Sequence, residues 1–241
     1  RDGRRPDHVF IEAGAAGSGI ELEAATLAKA LDAAQGLPVG PWLGLNVSAA
    51  MILQGELLAG LLKRRTRPIV LEITEHDAID DYEAVRSAVA RLGPDVRIAV
   101  DDAGAGVANF THIVQLRPDF VKIDASLVAG VNADLTRQAL IVGLHHFAEV
   151  TSGWVIAEGV ETEEERQTLI DLDVVLGQGY LFGRPADVEA WMPPAPQPGV
   201  SPSRLFDPTR RDAPPAPKRR RARVLAGPRT APLLHSDDGA A

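Results

Sequence analysis

Short runs of Val, Ile and Leu alternate along most of the chain with longer stretches whose apolar residues recur every three or four positions. The runs predict six strands, at residues 42–47, 68–73, 96–100, 119–123, 154–157 and, more weakly, 174–176. The longer stretches predict helices over 20–37, 49–62, 82–91, 136–150 and 163–172. Such alternation builds βα units around a parallel sheet. Short connections suit either an open doubly wound sheet or a (β/α)8 barrel, and periodicity alone does not choose between them. No Gly-x-Gly-x-x-Gly turn follows the first strand, which counts against a dinucleotide-binding sheet.

The pattern stops after Trp191. Residues 193–241 hold 11 of the 18 prolines and few large apolar side chains, too little to offset the entropy of ordering, so the expected division is a folded domain at 1–192 and a disordered tail at 193–241. Within the tail, Lys218-Arg219-Arg220-Arg221-Ala222-Arg223 is either a solvated charge run or a contact for nucleic acid or anionic lipid.

Charge changes the picture further. The 241 residues carry a formal charge of −8, yet the tail has 9 Lys/Arg against 4 Asp/Glu, or +5, which leaves −13 on the body. An acidic body disfavours nucleic acid as main partner and suits a divalent cation where its carboxylates gather. The absence of cysteine excludes disulfides, thiolate metal sites and cysteine nucleophiles. No apolar run approaches the ~20 residues that span a bilayer, and the basic opening is no signal peptide, so a cytoplasmic location is expected.

Strands covered on both faces need a reason for any polar side chain. Here Asn46 shares a face with Gly44 and Ser48, Glu72 lies between Leu71 and Ile73, Asp101 and Asp102 end the third strand, Lys122 interrupts the fourth, and Glu158 follows the fifth. A single Asp at a strand end is commonly a loop residue or a helix cap. Five strands in phase point instead to the C-terminal edge of the sheet, where α/β active sites lie. Asn46 with Glu72, and Asp101 with Asp102, offer the oxygen donors that Mg²⁺ or Mn²⁺ prefers, whereas the six histidines fall elsewhere and disfavour zinc.

Six ordered motifs sharpen this reading: Asn46-Val47-Ser48, Leu71-Glu72-Ile73-Thr74-Glu75, Asp101-Asp102-Ala103-Gly104-Ala105-Gly106, Val121-Lys122-Ile123-Asp124, Ala157-Glu158-Gly159-Val160-Glu161-Thr162, and Gly177-Gln178-Gly179-Tyr180-Leu181-Phe182-Gly183-Arg184-Pro185. From about Pro6 to Pro185 the chain resembles the EAL-domain family of bacterial cyclic di-GMP phosphodiesterases. The resemblance implies an α/β fold, a modified (β/α)8 TIM-like barrel with its pocket at the C-terminal strand ends. It implies two divalent ions, Mg²⁺ or Mn²⁺, with Asn46, Glu72 and Asp101 binding one and Asp102 binding or bridging to the second. It further implies that Lys122 orients the attacking water or offsets developing charge, and that Glu158 serves as general base or holds the base's water. Glu161, Gln178 and Asp124 would support the loop and the substrate. For Lys122 the competing reading is a plain salt bridge with Asp101 or Asp102. A Schiff-base lysine would need to lie away from carboxylates, and the adjacent aspartates argue against one.

Two departures matter. The Glu-Ala-Leu signature that names the family, whose Glu is a ligand in the family, is absent, so the expectation is a barrel begun just after it, lacking its first strands and impaired in activity. Ala103 and Ala105 stand where the family commonly has Phe and Thr, in a loop linked there to metal sensing and dimer contacts. The leading expectation is hydrolysis of cyclic di-GMP to linear pGpG, the alternative a receptor that binds the nucleotide without cleaving it. A homodimer and an upstream sensory or cyclase domain are partners that the resemblance suggests.

Overall fold

In chain order the elements are α1 (Pro6–Ala15), α2 (Gly19–Ala33), β1 (Leu43–Asn46), α3 (Ala49–Leu53), α4 (Gly55–Leu62), β2 (Ile69–Ile73), α5 (Tyr82–Arg91), β3 (Val96–Ala103), α6 (Ala108–Leu116), β4 (Phe120–Ile123), α7 (Ala125–Val128), α8 (Leu135–Val150), β5 (Trp154–Ala157), α9 (Glu163–Asp171) and β6 (Leu176–Gly177). The computed structural model describes residues 6–38, 41–73, 79–103 and 108–191. The tail, its basic cluster, and the loop residues Thr74, Glu75 and Ala105 lie outside these.

All five strand pairings are parallel, and the spatial order is the chain order, β1-β2-β3-β4-β5-β6. A doubly wound sheet reverses its order at a switch point, so this sequential winding settles the alternative in favour of a TIM-like half-barrel.

The two-residue period divides each strand between two environments. On one face Ile69, Leu71, Ile73, Ile98, Val100 and Val121 pack with helical residues such as Leu27, Leu58, Leu62, Val85 and Ile113. Ile123, Val155 and Ala157 continue that layer against Val128, Ile141, Leu144 and Leu169. The other face holds a smaller apolar cluster of Val70, Ala99, Phe120 and Ile156, with Trp154 and Leu176 beside it and the Trp42 ring 5.3 Å from that of Phe120. One step further along each strand, this second face turns polar: Asn46, Glu72, Asp101, Lys122, Glu158 and Gln178. Hydrophobic burial therefore holds the sheet from outside and from below, and leaves one end of the inner face for chemistry.

Helices begin and end for local reasons. Asp81, Asp134 and Thr162 cap α5, α8 and α9 by accepting backbone N–H groups, and Thr162 with Glu165 forms a reciprocal capping box. The helix expected over 49–62 is two, because the chain turns at Gln54, whose ψ of 44° closes α3 and opens α4 before Gly55. Helix α1 was not expected, and neither was α6. Arg67 is buried without a carboxylate, and instead donates to the carbonyls of Ala34, Leu37 and Pro38 at 2.8, 3.0 and 3.2 Å, tying the end of the α2 region to the start of β2.

Candidate active site

Lys122 is the centre of the polar end. Its Nζ donates to Glu158 Oε1 at 2.6 Å, Glu72 Oε2 at 2.7 Å and Asp101 Oδ1 at 2.9 Å, one carboxylate each from β2, β3 and the end of β5. The lysine side chain is only 5 % exposed, and the three acids 14–16 %. Burial alone would push the ammonium down, but hydrogen bonds to Glu158, Glu72 and Asp101 outweigh it and hold the pKa above the ordinary lysine value. Lys122 is therefore a fixed cation. The salt bridge with Asp101 that the competing reading called for is present, as one arm of a three-way bridge that spans the sheet.

Period-two alternation would send Asp101 and Asp102 to opposite faces. A break in register prevents this. Val100 pairs with Val121 and Ala103 with Ile123, so three steps on β3 match two on β4, and Asp102 absorbs the extra residue at φ 56°. Asp is among the few residues that tolerate this left-handed conformation. As a result Asp101, Asp102 and Glu158 each present a carboxylate oxygen within 4.8 Å of the others. Ala103, odd-numbered like Asp101, rejoins the outer core beyond the bulge.

Neighbouring glycines make room. A Cβ at position 44 would lie 2.2 Å from Glu72 Oε1, so Gly44 allows the Glu72 carboxylate to lean over β1, where Asn46 pairs with Glu72 in register. At Gly179, φ is 153° and a Cβ would meet the Val160 backbone at 2.3 Å. That close approach lets Val160 N–H bond to Gln178 O at 3.0 Å, while Gln178 Nε2 donates to Glu158 Oε1 at 2.6 Å.

The other expected residues sit nearby in different states. Glu161 is exposed and lines an open cleft of about 530 Å³ together with Glu158, Gln178, Tyr180 and Arg184, the last lying 4.2 Å over the Tyr180 ring. Asp124 caps α7 by accepting from the Ser126 backbone N–H and hydroxyl. The loop is tied down by a residue that the sequence reading passed over. The buried Glu165 carboxylate accepts N–H groups from Gly130, Glu161 and Thr162 at 2.8, 3.0 and 3.1 Å, and fixes the loop after Glu158. Burial would raise its pKa, and these backbone bonds hold it below the ordinary value. The signal was legible as Thr162-x-x-Glu165.

Burial pushes the Glu158 carboxyl up, and the charges of Asp101 and Asp102 add to this; the Lys122 hydrogen bond opposes it, and the pKa reaches about 7 from an ordinary 4.5. A raised folded-state value means that the folded chain keeps a proton the unfolded chain has released, so the associated stability is full at acid pH and falls as pH rises from about 4.5 to 7. In EDTA, the melting temperature of Glu158→Gln should exceed that of the parent by a margin that widens between pH 5.5 and 8. A constant margin would show that Glu158 titrates as an ordinary carboxylate.

The comparisons fit this arrangement. The family model for the EAL domain matches residues 2–185. The chain belongs to the EAL domain family. A probable cyclic di-GMP phosphodiesterase of Escherichia coli K12, PdeD, is 31 % identical over 158 residues, covering 62 % of this chain and 30 % of PdeD. This EAL domain superposes on Klebsiella pneumoniae BlrP1, solved as a manganese and cyclic di-GMP complex, with a TM-score of 0.65 and 31 % identity over 76 % of this chain and 49 % of that one. The EAL domain of Mycobacterium smegmatis DcpA gives a TM-score of 0.61 and 28 % identity over 69 % of this chain and 78 % of that one. The EAL chain spans less than a third of the length of the curated relatives it matches. Among its described residues, no helix is long and apolar enough to cross a membrane.

Proposed function

We propose that this EAL domain hydrolyses one phosphodiester bond of cyclic di-GMP to give linear pGpG, with two divalent cations, Mg²⁺ or Mn²⁺. The observation that carries the reading is the convergence of Asp101, Asp102 and Glu158 within 4.8 Å, beside a lysine that bridges three of the site's acids. The donor set is all oxygen, which is the chemistry of hard divalent cations. Glu72, Asp101 and Asp102, with Asn46 on the adjacent strand, would hold the ions, which when bound lower the pKa of a coordinated water and offset phosphate charge.

The chain's own groups account for the rest. Lys122 keeps Glu72, Asp101 and Glu158 at fixed separation and adds one positive charge where negative charge develops. Glu158 takes the proton of the attacking water, and Gln178 holds its Oε1 in place. The cleft over Glu161, Gln178 and Tyr180 leaves room for the nucleotide.

Incubation of the chain with cyclic di-GMP and Mn²⁺, followed by chromatography of the nucleotides, tests the reading. Linear pGpG should form, at a rate reduced by the absence of the Glu-Ala-Leu ligand, EDTA should abolish it, and excess Mn²⁺ should restore it. Undiminished turnover in chelator would sink the metal mechanism, and saturable binding of cyclic di-GMP with no product in any metal would establish the receptor alternative.

A further inference from the structure

A second carboxylate outside the cluster has no role in the proposed chemistry, yet it is directed at the strand end that carries Asn46. Glu23, on α2, accepts the Ser48 backbone N–H through Oε1 at 2.6 Å and the Ser48 hydroxyl through Oε2 at 2.8 Å. The Ser48 oxygen in turn accepts the Met51 N–H at 3.1 Å and caps α3. One residue earlier, Val47 N–H bonds to Glu72 O at 3.0 Å. The segment Asn46-Val47-Ser48 is thus held from β2 on one side and from α2 on the other. Asn46, exposed on the inner face, leaves the sheet between these two anchors.

We infer that Glu23 is a positioning residue for the cation site, acting through Ser48 to set the direction in which β1 presents Asn46 beside Glu72. The inference rests on the proposed metal reading. A helix cap alone does not call for Glu23, because Ser48 caps α3 with its own oxygen. A two-pronged carboxylate reaching across 25 residues fixes both backbone and hydroxyl of the residue two beyond a candidate ligand, one step further out than a partner that bonds the ligand itself.

Glu23→Gln keeps the size of the side chain but places an amide N–H₂ against one of the two Ser48 donors. Loss of a partner bonded directly to a ligand costs about 10–100-fold in metal affinity, and Glu23, which acts through Ser48, should fall at the low end of that range. Titration with Mn²⁺ alone, with free Mn²⁺ followed by its paramagnetic resonance signal, should show about tenfold weaker binding in Glu23→Gln. Its melting temperature in EDTA should stay within about 2 °C of the parent, since Leu27 and Leu31, the α2 residues in the core, are untouched. Ser48→Ala, which keeps the backbone donor, should lose less, and the double variant no more than Glu23→Gln. Mn²⁺ affinity within twofold of the parent in Glu23→Gln, or a large fall in melting temperature with affinity unchanged in Ser48→Ala and Glu23→Gln alike, would overturn the inference. The measurement needs no nucleotide. A parent that binds Mn²⁺ without cleaving cyclic di-GMP would sink the phosphodiesterase reading alone, whereas a parent that takes up no Mn²⁺ would sink the metal site and this inference together.

Discussion

Glu158→Gln should leave cyclic di-GMP bound and uncleaved. The glutamine retains an oxygen for Lys122 and Gln178, which meet the carboxylate at 2.6 Å each, so the shape of the cleft and the bridge to β4 survive. What would be lost is the carboxylate that the proposed mechanism assigns to take the water's proton. Removal of a general base costs ~10²–10⁴-fold, which corresponds to about 3–5 kcal/mol of transition-state stabilisation. Nucleotide affinity by calorimetry should remain within about fivefold, while turnover at saturating Mn²⁺ falls by at least a hundredfold. A variant within threefold of the parent rate would remove Glu158 from the role of base and leave proton transfer to another group.

Lys122→Met should have the largest effect on folding. One nearly buried ammonium serves Glu72, Asp101 and Glu158, and no other described cation bridges any of the three. Breaking a buried ion pair by removing one partner typically costs ~3–5 kcal/mol. Here the carboxylates keep partial access to the cleft and Glu158 accepts a proton readily, so we expect about 2–4 kcal/mol in urea unfolding at pH 8. The loss should shrink at pH 5.5 and on addition of Mn²⁺, because either protons or cations relieve the crowded charge. A Lys122→Met chain as stable as the parent at pH 8 without metal would show that the acids tolerate one another unaided.

Five strands were legible because each is an apolar run with its polar residue in phase, and five of the site's six inner-face residues were read from that phase alone; the weaker run expected at 174–176 forms a strand only at Leu176–Gly177. The sixth, Gln178, came from the family resemblance. Helix α6 was hidden by its context: Asn109, Thr111 and His112 dilute the apolar signal over 108–116, and the family motif drew attention to the loop before it. The break at Gln54 was equally hidden, since Leu57 and Leu58 continue the helical period across it. The convergence of Asp101 with Asp102 could not be read from strict alternation at all. It depends on one residue of register between β3 and β4, a property of the pair of strands and of neither sequence singly. Glu23 and Arg67 escaped for a similar reason, as both act on partners 25 to 33 residues away through backbone atoms that carry no sequence signature.

The imbalance of charge at the strand ends also governs which ligand can arrive first. Among the described residues, Glu72, Asp101 and Glu158 share Lys122, Asp102 lies within 4.8 Å of two of them, and the walls beside them are apolar, which concentrates the negative field at the strand ends. On the proposed reading, cations would be drawn inward first, and a dianionic nucleotide would be repelled until they had offset the negative charge. On the proposed reading, the local supply of divalent metal works as a gate on nucleotide entry, one that needs no lid, no hinge and no moving part.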